Sequence, residues 1–259
     1  MANKMTRTIT EKEYRFLEEN GDHIHQIFDN GEWKPLIGVS SVVKDIVNYS
    51  VAAYYGSRRA LMALDYDPKD SKSSVEGFKT KIKEILPLDD KTLAETLYGA
   101  YTAHAKYSKE RAKLGTDKHE IVDKWIKECI EKNDGKPMES EDPVIKKFRE
   151  LTDKYEPKFV ASEKHGYNRD LWIGGICDVI VDTNIGLGIW DNKNRPAIYD
   201  KDLIQMGGYT HLFPMDFTHV LGIPLEGSGV REYHSVETLK KVFSAQLEVY
   251  KFQLALNPK

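Results

Sequence analysis

An acid and a lysine stand two positions apart in the segment GIWDNKNRP, residues 188–196. The Gly-Ile-Trp start, and the apolar segment ICDVIV that precedes it, are typical of strands that enter a hydrophobic core. Side chains alternate between the two faces of a strand, so Asp191 and Lys193 point in the same direction. A carboxylate and an ammonium on an interior strand require either each other or a ligand.

A second acid, Asp178, lies on the preceding predicted strand, LWIGGICDVIVD. If the two strands form a hairpin whose turn is centred between Asn184 and Ile185, Asp178 lies opposite Asp191, with side-chain bases ~4.5–5.5 Å apart. Two carboxylates at this distance repel each other unless one is protonated or a cation binds between them. Oxygen ligands without cysteine favour Mg²⁺ or Mn²⁺. The alternative is a structural Asp191–Lys193 ion pair, with Asp178 near an edge of the sheet.

Lys193 has a chemical use beside such a cation. It could orient or deprotonate a water molecule, or stabilise the charge that develops on a phosphate oxygen. The spacing of these three residues therefore predicts metal-dependent chemistry on a phosphate ester.

Five short motifs follow one another along the chain: GTDKH, a strand with Glu163, GGICD, WDNK and QMGGY. In this order they resemble the RecB-like exonuclease branch of the PD-(D/E)XK nuclease superfamily. The predicted N-terminal hairpin followed by GVSSVV is also similar to phage exonucleases of this type and to the mitochondrial genome maintenance exonuclease. The resemblance covers roughly residues 25–210, and it implies a restriction-endonuclease-like core.

The resemblance implies metal-binding roles for four residues. A histidine at the Gly-Thr-x-x-His motif corresponds to His119, and the first metal carboxylate corresponds to Asp178. The Asp-x-Lys motif corresponds to Asp191, the second carboxylate, and to Lys193. The implied ligands are His119, Asp178, Asp191 and the backbone carbonyl of Asn192.

Three further residues each have two interpretations. Gln205 and Tyr209 match a Gln-x-x-x-Tyr helix motif and share one face, from which both could reach a phosphate. The alternative is that Tyr209 belongs to the core and Gln205 is its solvent edge. Glu163 is either a further ligand or water-orienting group, or a structural residue. Asn194 departs from the resembled pattern, where many relatives have threonine.

Tyr54, Tyr55, Arg58 and Arg59 interleave aromatic rings and cations on one predicted helix. This composition favours single-stranded nucleic acid, through base stacking and phosphate contacts. The alternative is that the tyrosines pack inward and the arginines are solvated.

The composition excludes several classes of protein. The 259 residues include 38 Lys and Arg against 41 Asp and Glu, a net charge of -3, so no global basic field surrounds the chain. Cys129 and Cys177 are the only cysteines, which excludes a four-cysteine iron–sulfur or zinc site. No signal peptide or membrane span is predicted, so we expect a cytoplasmic protein, in the host cytoplasm if phage-encoded.

The expected fold is α/β, with a mixed central sheet flanked by helices. We expect residues 1–115 to form an N-terminal hairpin and a mainly helical subdomain that covers the substrate, and residues 116–259 to form the nuclease core. Gly115 is expected to end one helix and Thr116 to cap the next. His119 would then lie at a helix start, where the helix dipole disfavours its protonated form.

The expected function is a metal-dependent DNA exonuclease that acts from free ends, with a preference for single-stranded DNA. Recombination or replication proteins are the expected protein partners. Two alternatives remain open: a non-catalytic nucleic-acid-binding module on the same fold, and a structure-specific endonuclease.

Overall fold

A computed structural model describes residues 5–11, 13–19, 22–44, 57–64, 66 and 75–256. The chain forms two compact units. The first unit combines Met1–Ile46 with Asp117–Lys259, and the second unit is Val47–Thr116. The predicted division, which assigned all of residues 1–115 to one subdomain, is corrected here, because the first 46 residues group with the C-terminal part of the chain.

The N-terminal residues form a four-stranded antiparallel sheet in the order β1-β2-β3-β4. Its strands are β1 Met5–Glu11, β2 Tyr14–Glu19, β3 Asp22–Asp29 and β4 Glu32–Pro35. Asn30 and Gly31 connect β3 to β4 with φ values of 51° and 87°, the left-handed backbone that a two-residue hairpin turn requires. The predicted hairpin is confirmed, whereas β1 and β2 were not predicted.

A six-stranded mixed sheet forms the centre of the first unit. Its strands are β5 Ile37–Gly38, β6 Lys158–Asn168, β7 Ile173–Thr183, β8 Gly186–Lys193, β9 His219–Pro224 and β10 Arg231–Tyr233. The order is β10-β9-β8-β7-β5, and β6 also pairs with β7. β5 is parallel to β7 and β8 is parallel to β9, while the other pairs are antiparallel.

Helices cover both faces of this sheet. The described helices of the chain are α1 Val39–Lys44, α2 Val75–Ile85, α3 Asp90–Lys132, α4 Pro143–Thr152, α5 Asp200–Thr210 and α6 Val236–Leu256, of which α2 and the N-terminal part of α3 belong to the second unit. One core joins α1, α5 and α6 to the sheet, and the other joins α4 and the C-terminal part of α3 to the opposite face. The expected α/β architecture with a mixed sheet flanked by helices is confirmed at this level. None of the described helices is long and apolar enough to cross a membrane.

The predicted helix break at Gly115 and Thr116 is wrong, because α3 is continuous from Asp90 to Lys132. A glycine inside a helix costs only about 1 kcal/mol relative to alanine, and helix-forming residues on both sides outweigh that cost. His119 therefore lies within a helix. The argument that a helix start keeps its imidazole neutral does not apply.

Gly207 and Gly208 allow α5 to approach its neighbours closely. A Cβ on Gly207 would lie 2.8 Å from the backbone of Leu239 in α6, and one on Gly208 would lie 2.4 Å from the ring of Phe243. The QMGGY segment therefore has a packing role, which fixes the helix that carries Gln205 and Tyr209.

We expect Gly207→Ala to lower the free energy of unfolding by about 1–3 kcal/mol, because the new methyl group meets backbone atoms that cannot turn aside. Urea unfolding of the purified protein measures the change. Gly99→Ala is the matched control, since a Cβ there meets nothing within 4 Å. We expect Gly99→Ala to raise the free energy of unfolding of the second unit by up to about 1 kcal/mol. Equal unfolding midpoints for wild type and Gly207→Ala would contradict this packing role.

Candidate active site

The hairpin of β7 and β8 has the predicted register. Thr183 pairs with Gly186 across the turn, and the ladder continues to Val179 opposite Trp190. The next positions in this register are Asp178 and Asp191. There the ladder ends, and the Asp178 carboxylate accepts a hydrogen bond from the backbone N–H of Asn192 at 2.9 Å. A side chain thus replaces the backbone partner at the point where the strands diverge.

The two strands diverge into a cleft. β6 pairs with β7 along one edge from Ile173 to Asp182. β8 and β5 therefore share the other edge of β7. On that edge β7 pairs with β8 through residues 179–183 and with β5 through residues 173 and 174. Residues 175–178 lie between them. The resulting cleft has a volume of about 230 Å³ and is lined by His23, His25, Ser40, Glu163, Gly175, Ile176, Asp178, Asp191, Lys193, Gln205 and Tyr209.

Asp191 is the most constrained acid in this cleft. Its side chain is buried, with an exposure of 1 %, and the Lys193 ammonium lies 2.6 Å from Oδ2, outside ideal hydrogen-bond geometry. Oδ1 has no hydrogen-bond partner among the described residues. The pKa of Asp191 is raised to about 7: burial raises it most, Lys193 acts against this rise, and Asp178 adds to it. The predicted ion pair exists, but one ammonium faces two carboxylates.

Lys193 keeps its charge in this environment. Burial lowers the pKa of its ammonium, but Asp191 and Asp178 together outweigh that effect, so that the pKa lies above its ordinary value. A protonated lysine can orient a water or a phosphate oxygen, and it cannot accept a proton. Of the three roles predicted for Lys193, the raised pKa therefore favours orienting a water and stabilising charge over deprotonating the water.

The acids of the cleft match the chemistry of a magnesium site without forming a closed cage. Among the described residues, no group of three His, Cys, Asp or Glu side chains is arranged to enclose an ion. Mg²⁺ in phosphate-processing sites is held by one or two carboxylates, waters and the substrate phosphate. A buried carboxylate with an unpartnered oxygen beside a second acid fits that pattern.

His119 lies beside the acids. Its Nδ1 is 3.7 Å from Asp178 Oδ2, a distance beyond a hydrogen bond. Trp125 and Ile126, one to two turns further along α3, are buried against the sheet and hold this part of the helix in place. The structure thus brings His119 to Asp178, while its role as a ligand, like that of the Asn192 carbonyl, remains a prediction.

Glu163 occupies the position opposite Asp178 on β6. Ser162 pairs with Val179 and Lys164 with Cys177, so that Glu163 and Asp178 face each other between these pairs. Glu163 has a φ of 48°, a left-handed backbone that is uncommon for a residue with a side chain. Such strain is found preferentially at functional sites. Its position in the cleft supports a role beyond the packing of β6.

Gln205 and Tyr209 contact each other on one face of α5. Gln205 Nε2 donates to the Tyr209 hydroxyl at 2.5 Å. Tyr209 is buried in the core and also lines the cleft. Burial, followed by the charges of Asp191 and Asp178, raises its pKa well above the ordinary value, so the phenol stays neutral. Tyr209 therefore belongs to the core and also lines the cleft, while a contact of Gln205 and Tyr209 with a phosphate stays a prediction.

Three cleft residues were missed by the sequence interpretation. His23 and His25 lie two positions apart on β3, and Ser40 lies in α1. Their i, i+2 spacing places both histidines on one face of a strand, a signal that could have been used. His25 is buried and contacts the Tyr14 hydroxyl at 2.7 Å through Nδ1.

Two buried histidines make stability depend on pH. Burial, as the largest effect, lowers the pKa values of His25 and of His219 from 6.5 to about 4. Between pH 6.5 and about 4, the two imidazoles bind protons in the unfolded chain and remain neutral in the folded protein. Each therefore removes stability as the pH falls from about 7 towards 4, by up to about 3 kcal/mol.

His219→Gln tests this dependence. Gln can still accept the bond that Trp190 Nε1 now forms with His219 Nε2 at 3.2 Å. The raised pKa of Asp191 acts in the opposite direction over this range, so the readout is the difference between two slopes. We expect unfolding free energies measured at pH 7 and pH 5 to fall more steeply for wild type than for the variant. Parallel slopes would contradict a neutral buried His219.

The predicted nucleic-acid-binding helix lies in the second unit. Tyr54 and Tyr55 lie outside the described residues. Arg58 is partly buried, and the Arg59 guanidinium stacks on the Tyr107 ring at 3.5 Å from its centroid. Arg59 therefore has a structural partner, and base stacking on Tyr54 and Tyr55 remains a prediction.

Comparison with known proteins adds no family assignment to this geometry. No model of a known protein family matches the chain, and a search of curated proteins finds no significantly similar sequence. The case for a function therefore comes from the site itself.

Proposed function

We propose that the chain is a metal-dependent nuclease of the RecB-like PD-(D/E)XK type, which hydrolyses phosphodiester bonds in DNA. The observation that carries the proposal is the position of Asp191. A fully buried carboxylate with an unpartnered oxygen, beside Asp178 and Lys193, lines an open cleft at a strand divergence. Burying a charge is unfavourable unless it is compensated, so a site with this composition favours a bound cation.

Asp178 and Asp191 would hold the ion, Mg²⁺ or Mn²⁺, with His119 and the Asn192 carbonyl as further ligands. When bound, the ion lowers the pKa of a coordinated water and screens the phosphate charge. Lys193, kept protonated by the two acids, orients the attacking water or a phosphate oxygen. Glu163 lines the same cleft and is available to orient that water.

Gln205 and Tyr209 have a positioning role in this proposal. The Gln205 amide donates to the Tyr209 hydroxyl, and this hydroxyl remains a neutral hydrogen-bond donor because its pKa is raised. A neutral donor can approach a phosphate oxygen without repelling it. The pair would therefore hold the substrate phosphate rather than take part in proton transfer.

A second recess next to the cleft supplies positive charge. It has a volume of about 410 Å³ and shares Ser40, Lys193 and Gln205 with the cleft. Lys44 and Lys201 line it, and so does Arg195, which pairs with Asp202. These cations offer a local site for a nucleic-acid backbone on a chain whose net charge is -3.

Labelled DNA distinguishes the proposal from its alternatives. Linear single- and double-stranded DNA, labelled at one end or internally, is incubated with Mg²⁺, Mn²⁺ or chelator. Release of mononucleotides or short oligonucleotides from an end, only with metal, is the expected result. Internal cuts with metal would identify an endonuclease. DNA binding without turnover in any metal would identify a non-catalytic binding module.

Calcium provides a further test of the metal geometry. Ca²⁺ takes looser oxygen contacts of ~2.3–2.6 Å, against ~2.0–2.1 Å for Mg²⁺. It can neutralise the two acids without holding a water in line, so we expect Ca²⁺ to support DNA binding with little cleavage. Binding by fluorescence anisotropy and cleavage by gel are measured on the same samples. Equal turnover with the two ions would contradict a geometry-sensitive site.

A further inference from the structure

Two tyrosines stand exposed on α3 within the second unit. Tyr98 and Tyr101 are 67 % and 82 % exposed, and their ring centroids lie 6.4 Å apart with an interplanar angle of 38°. They are three positions apart (i, i+3), so both rings lie on neighbouring parts of one helix face. Soluble proteins seldom expose large apolar or aromatic side chains in a contiguous patch unless that patch binds a ligand or a partner.

The composition of the second unit indicates what binds there. Residues 47–116 contain 12 Lys and Arg against 9 Asp and Glu, whereas the rest of the chain contains 26 against 32. The same residues hold 7 of the 14 tyrosines. A unit that is basic and rich in tyrosine, attached to an acidic one, complements a polyanion that carries aromatic bases.

The surroundings of the two rings leave them accessible. Gly99, between them in sequence, has nothing within 4 Å of the place where a Cβ would stand. Lys91 lies two turns before Tyr98 on the same face, and Lys106 lies further along the helix; both are exposed. Glu95 is an exposed acid on this stretch. Rings for stacking and ammonium groups for phosphate contacts are thus present on one helix.

We propose that Tyr98 and Tyr101 form a base-stacking site for single-stranded DNA. The ring separation of 6.4 Å is about twice the ~3.4 Å rise between stacked bases, so the two rings can each contact a base. Stacking of this kind accepts any base, because every base has a π-face. The inference rests on the proposed function, since DNA is the polyanion it names, and it assigns that DNA a binding site on the second unit in addition to the cleft of the first unit.

The test measures equilibrium binding without turnover. A fluorescein-labelled oligo(dT) strand is titrated with the 259-residue protein in chelator, and anisotropy gives Kd. We expect the double variant Tyr98→Ala/Tyr101→Ala to raise Kd at least ~10-fold, because one base–ring stack contributes ~1–3 kcal/mol of binding free energy. Tyr98→Phe/Tyr101→Phe keeps both rings and should stay within about 2-fold of wild type. Leu97→Ala, an exposed apolar neighbour, is the control for general surface effects and should bind like wild type.

Each remaining outcome has a defined meaning. Unchanged Kd in the alanine double variant, or an equal loss in the phenylalanine variant, would overturn the stacking site. A change in oligomeric mass by light scattering, with Kd unchanged, would also overturn it and identify a surface for a second copy. If wild type binds the strand through the two rings but never cleaves it with metal, the stacking site stands and the hydrolysis proposal fails. If wild type cleaves but the alanine variant binds normally, only the stacking site fails.

Discussion

Asp191→Asn is expected to abolish phosphodiester hydrolysis while leaving the fold at least as stable as the wild type. The substitution removes a carboxylate whose Oδ1 has no described partner and whose burial raises its pKa to about 7. Loss of a metal-based assembly removes several kcal/mol of transition-state stabilisation, or at least ~10³-fold in rate. Removal of a buried charge also lowers an unfavourable term in the folded state. Initial cleavage rates and thermal unfolding of the same preparations measure the two effects.

Asp182→Asn is the matched control for this substitution. Asp182 is an exposed acid on β7 in the same hairpin, opposite Leu187. The change of side chain is identical, and we expect the control to keep the wild-type rate. Asp178→Ala and Lys193→Ala should each lose activity while remaining folded. Near-normal rates in any two of the three site variants would overturn the assignment of the site.

A circular single strand is expected to survive under conditions that degrade a linear strand of the same sequence. The expectation follows from the resemblance of the Gln205 and Tyr209 motif to that of exonucleases, which require an end. Phosphate contacts from Lys44 and Lys201, which line the second recess next to the cleft, should make the binding of both strands weaken as the salt concentration rises. The loss of each strand is followed over time on a denaturing gel with Mg²⁺.

A single-stranded circle that has been cut once provides the internal control for end dependence. A circular strand cut once by a separate nuclease offers one end in the same sequence, and it should be degraded at the rate of the linear strand. Equal degradation of intact and cut circles would establish endonucleolytic attack and contradict the predicted mode of action.

The register of the β7–β8 hairpin could be predicted because its determinants are local. Two apolar segments of similar length flank a short polar turn, and the symmetry of the turn alone places Asp178 opposite Asp191. The hairpin of β3 and β4 could be predicted for the same reason, since Asn30-Gly31 is a strong turn signal. Short-range patterns of this kind survive folding because the turn fixes the pairing.

The rest of the cleft depends on contacts between distant parts of the chain. A Cβ on Gly174 would lie 2.7 Å from His25 Cβ, so β3 packs directly on β7 near the acids. No periodicity within either segment indicates that contact. β1 and β2 were missed because MTRTITE and YRFLEE alternate few apolar side chains, and their partners on the neighbouring strands supply the pairing. The helix through Gly115 shows that one weak helix former does not decide a 43-residue helix.

Restoration of cleavage by metal tests the central claim most directly. Wild-type protein is stripped with chelator, and Mg²⁺ is then titrated back in the presence of an end-labelled linear single strand. The proposed role of Asp178 and Asp191 predicts no cleavage in chelator, recovery with Mg²⁺ or Mn²⁺, and no recovery in Asp191→Asn at any concentration of metal. Cleavage that persists in chelator, or recovery by Mg²⁺ in the variant equal to that of the wild type, would contradict a metal held by these two carboxylates.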